Sequence, residues 1–129
     1  MPLVTIETRR GFPAGTKKAL FDGVHQALVE CFKIPDRDRT QRMIEHAPGD
    51  FEVPADRGER FCIVTLTVFA GRSLDAKRAL YRSIVDRFEA AGIPRQDVFI
   101  VLQEVPVENW GLRGGIAGCD IDFGFKIGV

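Results

Sequence analysis

The chain of 129 residues carries no net charge, its 18 lysines and arginines balancing 18 aspartates and glutamates. A nucleic acid or an anionic membrane needs a basic field to draw a protein in, so neither is expected as a partner. No apolar run approaches the ~20 residues of a membrane span, and no leader pattern opens the sequence. Cysteine is scarce, and Cys31, Cys62 and Cys119 stand far apart without a CxxC pair. Such cysteines are expected to be small buried or tail residues in a reducing compartment, which implies the cytoplasm. His46 follows Glu45 with no third ligand nearby, so no metal site is expected. Gly111, Gly114 and Gly115 make no dinucleotide fingerprint, because they come after the strand pattern ends and no helix follows them.

What is present begins at the second residue. Pro2 follows Met1 and opens an apolar run, Leu3-Val4-Thr5-Ile6, that reads as a strand. A small second residue allows Met1 to be removed, which leaves a free proline amine. At the end of a buried strand such an amine loses solvation, and desolvation disfavours its charged form. A base poised near neutrality is the result, where general acid–base catalysis is most efficient.

A period of about 60 residues runs through the chain. Lys17-Lys18-Ala19-Leu20-Phe21 recurs as Lys77-Arg78-Ala79-Leu80-Tyr81, and Ile34-Pro35 with Asp38 recurs as Ile93-Pro94 with Asp97. Each unit starts with an apolar strand, at 3–8 and 61–70. A helix follows each, with Leu20, Phe21, Val24 and Leu28 on one face of the first and Ala76, Leu80, Ile84 and Phe88 on one face of the second. Ser73 is placed to cap the second helix, Asp75 suits its first turn, and Gly92 with Pro94 ends it. Second strands follow at 40–46 and 98–105.

The pattern predicts one α/β domain over 1–129: a first β-α-β unit at 2–46, a connection at 47–60, a second unit at 61–105 and a C-terminal arm at 106–129. Parallel strands within each unit give a four-stranded mixed sheet with both helices on one face. The continuously apolar runs Phe61-Cys62-Ile63-Val64 and Val98 to Leu102 suit strands covered on both faces or sealed by a second subunit. The bare sheet face therefore predicts self-association. In the arm, 111–118 reads as a bent glycine-rich loop. Ile121, Phe123, Phe125 and Ile127 then alternate with Asp122, Gly124 and Lys126, which predicts a short C-terminal strand.

Taken together, Pro2 at the head of a strand, the duplicated unit and Arg72 ahead of the second helix resemble the tautomerase superfamily. Within it, Ala19-Leu20-Phe21-Asp22 through His25, Ala27, Val29, Ile34-Pro35, Asp38-Arg39 and Gln41 is similar to the malonate semialdehyde decarboxylase branch. So are Leu66-Thr67-Val68, Gly71-Arg72-Ser73, Lys77, Tyr81 and Glu108-Asn109-Trp110-Gly111. The resemblance spans about residues 2–115 and is weakest across 47–60. It implies a homotrimer without metal or organic cofactor, acting on a small carboxylate-bearing keto or enol substrate. It also implies Pro2 as catalytic amine, Arg72 as binder of the substrate carboxylate, Asp38 as the acid that orients water or assists proton transfer, and Trp110 as pocket wall. The chain departs from that branch at Ala70-Gly71-Arg72, which offers one arginine where the branch pairs two around a single residue.

The chemistry suits these residue types. Tautomerisation moves a proton from carbon to another atom while a cation stabilises enolate-like charge on oxygen. An arginine fork captures a carboxylate with two parallel bonds, and at a helix start Arg72 gains nothing from the macrodipole. Asp38 has a structural alternative, since Asp97 occupies the same place in the repeat and an aspartate there caps a turn. Arg113 beside Trp110 adds a second cation. Trp110 has an alternative as a trimer anchor, and His25 reads as a surface or interface residue. Three functions follow: a cofactor-free tautomerase of small 2-keto acids or enols; a decarboxylase or hydratase of a three-carbon acid; or a non-catalytic trimeric scaffold.

Overall fold

A computed structural model describes residues 2–125 and 127–129. The expected loss of Met1 and the place of Lys126 in the tail pattern fall outside the described residues.

The first unit consists of strand β1 (Leu3–Arg9), helix α1 (Ala14–Phe32) and strand β2 (Thr40–His46); the second of β3 (Cys62–Phe69), α2 (Leu74–Ala90) and β4 (Val98–Val105). β1 and β2 pair in parallel, β3 and β4 pair in parallel, and β1 meets β3 antiparallel at the centre, giving the order β2-β1-β3-β4. The fold is thus a mixed four-stranded sheet with two helices, as the repeat predicts.

α2 has clear boundaries. Ser73 Oγ accepts from the Ala76 amide at 3.1 Å and Asp75 stands in the first turn, which satisfies one orphan donor and complements the macrodipole. At the far end Gly92 adopts φ +96°, its amide reaching Glu89 O at 3.0 Å while that of Ile93 reaches Phe88 O at 2.9 Å. This paired closure needs a left-handed residue, and buried Phe88 and Ile93 accompany it. α1 stops at Lys33, itself left-handed at φ 57°. Pro35 then bars the helical conformation at Ile34.

The helices lie against each other and against the inner sheet face. At Gly23 an added Cβ would meet Arg87 Cβ at 3.1 Å, so glycine sets the closeness of the helix pair there. Beneath them Val4 and Ile6 of β1 and Val64 and Leu66 of β3 are fully buried, each alternating with half-exposed neighbours as a period of two requires. The opposite sheet face carries Ile44, Phe99 and Val101, which stay exposed in the single chain. The apolar run of β4 is therefore covered on one side only by its own chain.

The connection 47–60 runs from the edge strand β2 back to the central strand β3. Arg9 clamps it with two bonds to Phe51 O, at 3.1 and 2.8 Å. His46 stacks on Phe51 with ring centres 5.0 Å apart and its Nε2–H donates to Glu7 Oε1 at 3.1 Å. His46 thus has a packing role, and among the described residues no group of acidic, histidine or cysteine side chains is placed to hold a metal. Among those residues no helix is long and apolar enough to cross a membrane.

The C-terminal arm departs from expectation. The glycine-rich segment, read as a loop, contains a two-stranded hairpin of β5 (Gly111–Leu112) and β6 (Ile116–Ala117). The alternating segment after it forms no strand among its described residues. Gly124 takes φ +73° and its amide is captured by Asp122 Oδ1 at 2.9 Å, a local turn that breaks strand geometry. The tail folds back on the start of α2 instead, where the Ser73 amide donates to Val129 O at 3.2 Å.

Candidate active site

Pro2 is buried at the head of β1. The antiparallel register Leu3↔Thr67 brings it level with the end of β3, where the chain leaves the sheet and turns at Gly71, φ +125°, into α2. Arg72 lies in that turn. Pro2, Val68, Phe69 and Arg72 line one recess together with Phe32 at the end of α1 and Ile34 just beyond it. The recess is packed too tightly to hold water. A ligand therefore reaches Arg72 only as side chains at the mouth move aside.

Arg72 is the unusual group. It is 7% exposed and has no acidic partner among the described residues. Its Nη1–H donates to Phe69 O at 3.2 Å, its Nη2–H to Phe32 O at 3.5 Å, and its guanidinium stands 4.9 Å from the centre of the Phe32 ring. Nε is buried and has no hydrogen-bond partner among the described residues. Burial pulls the guanidinium below its ordinary value, with the Glu104 carboxylate acting in the opposite sense. A buried cation satisfied only by carbonyl oxygens and an aromatic face bears a desolvation cost that an incoming carboxylate would offset. Glu104 is engaged elsewhere: it pairs with Lys77 and accepts from the Gly71 amide at 3.4 Å, contacts that hold its carboxyl below the usual range. Those contacts anchor the corner that presents Arg72.

Asp38 and Arg113 lie in a second, roomier cleft, which they line with Arg37, Leu112, Phe123 and Phe125. The guanidinium of Arg113 lies 5.8 Å from the Phe123 ring centre. One aromatic contact joins the two cavities. Phe69, a wall of the recess, meets Phe123, a wall of the cleft, with ring centres 5.1 Å apart. Trp110 packs against Phe69 with ring centres 4.9 Å apart and ring planes at 78°, its Nε1–H donating to Val105 O at 3.2 Å.

Pro2 and Arg72 therefore share one cavity, while Asp38 and Arg113 share its neighbour. Sequence reasoning missed the tail phenylalanines as cleft walls, because their alternation mimics a strand. It also read His25 as a surface or interface residue, whereas in the single chain the residue is 1% exposed. Its neighbours Val24 and Ala27–Leu28, all buried, are the signal that α1 hides a wide face.

Comparison with known proteins accords with this geometry. Two family models, both described as tautomerase enzyme, match residues 38–113 and 2–57. The probable tautomerase YrdN of Bacillus subtilis (strain 168) is 30% identical over 123 residues, 91% of this chain and 95% of its own length. A solved structure of FG41 malonate semialdehyde decarboxylase, inhibited by 3-bromopropiolate, superposes with a TM-score of 0.82 at 30% identity, over 89% of this chain and 92% of that one. A fused 4-OT solved as a symmetric trimer shares the fold, with a TM-score of 0.80 at 24% identity over 91% and 96% of the two chains. The chain belongs to the tautomerase family.

Proposed function

We propose that the protein is a cofactor-independent tautomerase of small 2-keto acids and their enols, with the amine of Pro2 as the proton-transferring group. The observation that carries this is the shared recess: a buried proline at the strand head and a buried arginine with no acidic partner among the described residues line the same small cavity. The carboxylate of the substrate would pair with the Arg72 guanidinium once the recess admits it, drawing developing enolate charge into reach of the same cation. Neutral Pro2 would remove the proton from one site and return it at another. Asp38, Arg37 and Arg113 would meet the far end of the substrate in the adjoining cleft, where a carboxylate between cations assists proton transfer or orients water.

Decarboxylation or hydration of a three-carbon acid is the second reading, favoured by the 30% identity to a malonate semialdehyde decarboxylase structure. The single arginine in Ala70-Gly71-Arg72 ranks it below tautomerisation. A cytoplasmic homotrimer is proposed from the exposed Ile44, Phe99 and Val101 on the bare sheet face and from the trimeric state of the fused 4-OT neighbour.

The test is ketonisation of the enol of phenylpyruvate by untagged protein, compared with Pro2→Ala and Arg72→Ala. Turnover lost in both variants supports the reading. A wild-type protein without ketonisation or decarboxylase turnover would leave the scaffold.

A further inference from the structure

The stretch from Phe32 to Asp38 is the one continuous segment that lines both cavities among the described residues. Phe32 and Ile34 face the recess of Arg72, and Arg37 and Asp38 face the neighbouring cleft. Its two ends are secured. At the start, Phe32 belongs to α1 and its carbonyl accepts from Arg72. At the finish, Arg39 pairs with Asp22, and Gln41 Nε2–H donates to Phe21 O at 2.8 Å. Between them the chain passes through left-handed Lys33 and a turn in which the Asp38 amide donates to Pro35 O at 3.0 Å. Ile34 is buried in the core, so what remains to be placed is the turn beyond it, and one side chain of α1 reaches that turn.

That side chain is His25. Its ring is 1% exposed, and its Nε2–H donates to Oδ1 of Asp36 at 3.0 Å. The side chain of Asp36 is 87% exposed, and among the described residues this bond is what fastens it. The asymmetry has a physical consequence: a buried N–H strongly requires its partner, whereas an exposed carboxylate has water as an alternative. The requirement of the imidazole therefore dictates where the turn sits.

We propose that His25 is a positioning residue which, through Asp36, holds the Ile34–Asp38 turn and so places the Asp38 carboxylate in its cleft. The proposal rests on the reading of Asp38 as a participant in proton transfer. Arg72 takes its own anchors from Phe69 O and Phe32 O, which lie outside the tethered turn. Loss of the tether thus affects turnover and spares carboxylate capture.

Steady-state ketonisation of the enol of phenylpyruvate is compared for wild type, His25→Ala, His25→Gln, Asp36→Ala and the double variant His25→Ala/Asp36→Ala, alongside hydrogen exchange at the Asp38 amide. Either alanine variant should lower kcat about tenfold and leave KM within about twofold, and the double variant should be no worse than either single one. His25→Gln should recover much of the lost kcat, since its amide donates from a similar reach. Protection of the Asp38 amide should fall in both alanine variants while that of the α1 interior is kept. Asp36→Ala carries the test if His25→Ala does not fold, because its side chain is exposed. Wild-type kcat in folded Asp36→Ala, or additive losses in the double variant, would overturn the proposal. If the wild type shows no ketonisation, the catalytic reading fails by itself; unchanged exchange at the Asp38 amide in Asp36→Ala would then reject the tether independently.

Discussion

Asp38 and Asp97 close the same turn in the two halves of the chain, their amides donating to Pro35 O and Pro94 O at 3.0 and 2.9 Å. The side chains have diverged. Asp97 is 2% exposed and both its carboxylate oxygens accept from the Gly58 amide at 3.2 Å, fastening the connection between the units. Asp38 faces the open cleft between Arg37 and Arg113. One position of an ancestral repeat thus holds the fold together and the other faces a cavity.

That divergence predicts opposite responses to mutation. Asp97→Ala leaves the Gly58 amide without its acceptor and should lower stability by about 1–3 kcal/mol, with kcat within about twofold of wild type. Asp38→Asn should lower kcat by about 10²-fold, the low end of what a positioned acid or base supplies. Denaturant unfolding of Asp97→Ala and ketonisation assays on both variants check this; equal effects of the two on kcat would contradict it.

The same repeat explains why the fold was legible. Strand spans 40–46 and 98–105 coincide with β2 and β4 because the pattern is duplicated, and the capping residues Ser73 and Gly92 act where their chemistry predicts because such signals are local. The tail was not legible. Ile121, Phe123, Phe125 and Ile127 alternate, but one left-handed glycine at 124 and docking on the start of α2 outweigh a propensity that is always context-dependent. The site was half legible: chemistry marks Pro2, Arg72, Asp38 and Arg113. Their division between two cavities depends on Phe69 meeting Phe123 across 54 positions of chain, which no spacing rule encodes.

Arg72 yields a second prediction, in which binding and stability separate. Arg72→Met removes a buried cation that has no acidic partner among the described residues and replaces it with a flexible apolar chain of similar reach. Carboxylate affinity, read as the Ki of a competitive 2-keto acid, should weaken by about 2–5 kcal/mol. Stability should stay level or rise, because the desolvation cost of the charge disappears. A marked fall in stability with unchanged Ki would make the arginine a structural residue.

Glu104 gives a pH dependence whose sign can be worked out. Its carboxyl lies below the ordinary 4.5, foremost through the hydrogen bond from Lys77, with burial opposing it and the Gly71 amide and the nearby cations adding smaller downward effects. The unfolded chain therefore binds the proton more readily, so the contribution is present above pH 4.5 and is lost as pH falls through the lower folded value. Glu104→Gln should flatten the acid limb of the stability curve below that pH and leave its neutral and alkaline parts parallel to wild type. Stability measured in urea across the acid range tests this.

The cysteines should react in order of exposure. Burial pushes the Cys62 thiol up to about 12, foremost by desolvation, with Asp97 adding to it, and its Sγ–H donates to Arg60 O at 3.1 Å. Since the thiolate is the nucleophile, Cys62 should resist alkylation of the native protein at mildly alkaline pH, while exposed Cys119 is modified first. Peptide mapping after timed iodoacetamide treatment reads the order; early labelling of Cys62 would mean that β3 opens in the native state.

The last prediction decides between the two enzymatic readings, and it turns on the protonation state of one amine. In tautomerisation neutral Pro2 takes a proton from substrate, so the rate should rise with pH through a single step near neutrality. In the hydration and decarboxylation reading protonated Pro2 donates, and the rate should fall through that step. A single arginine in the Ala70–Arg72 turn gives a β-keto acid one cationic anchor, which serves capture of a carboxylate better than simultaneous polarisation of a second carbonyl. Ketonisation should therefore exceed decarboxylation of malonate semialdehyde. Pro2→Ala keeps an amine in place but makes it primary and less constrained, so kcat should fall by about 10²-fold or more. Both effects require the proline amine to be free, which intact mass checks: molecules that retain Met1 should be inactive. Decarboxylation that exceeds ketonisation, falls with rising pH and survives Arg72→Ala would reverse the assignment of both residues.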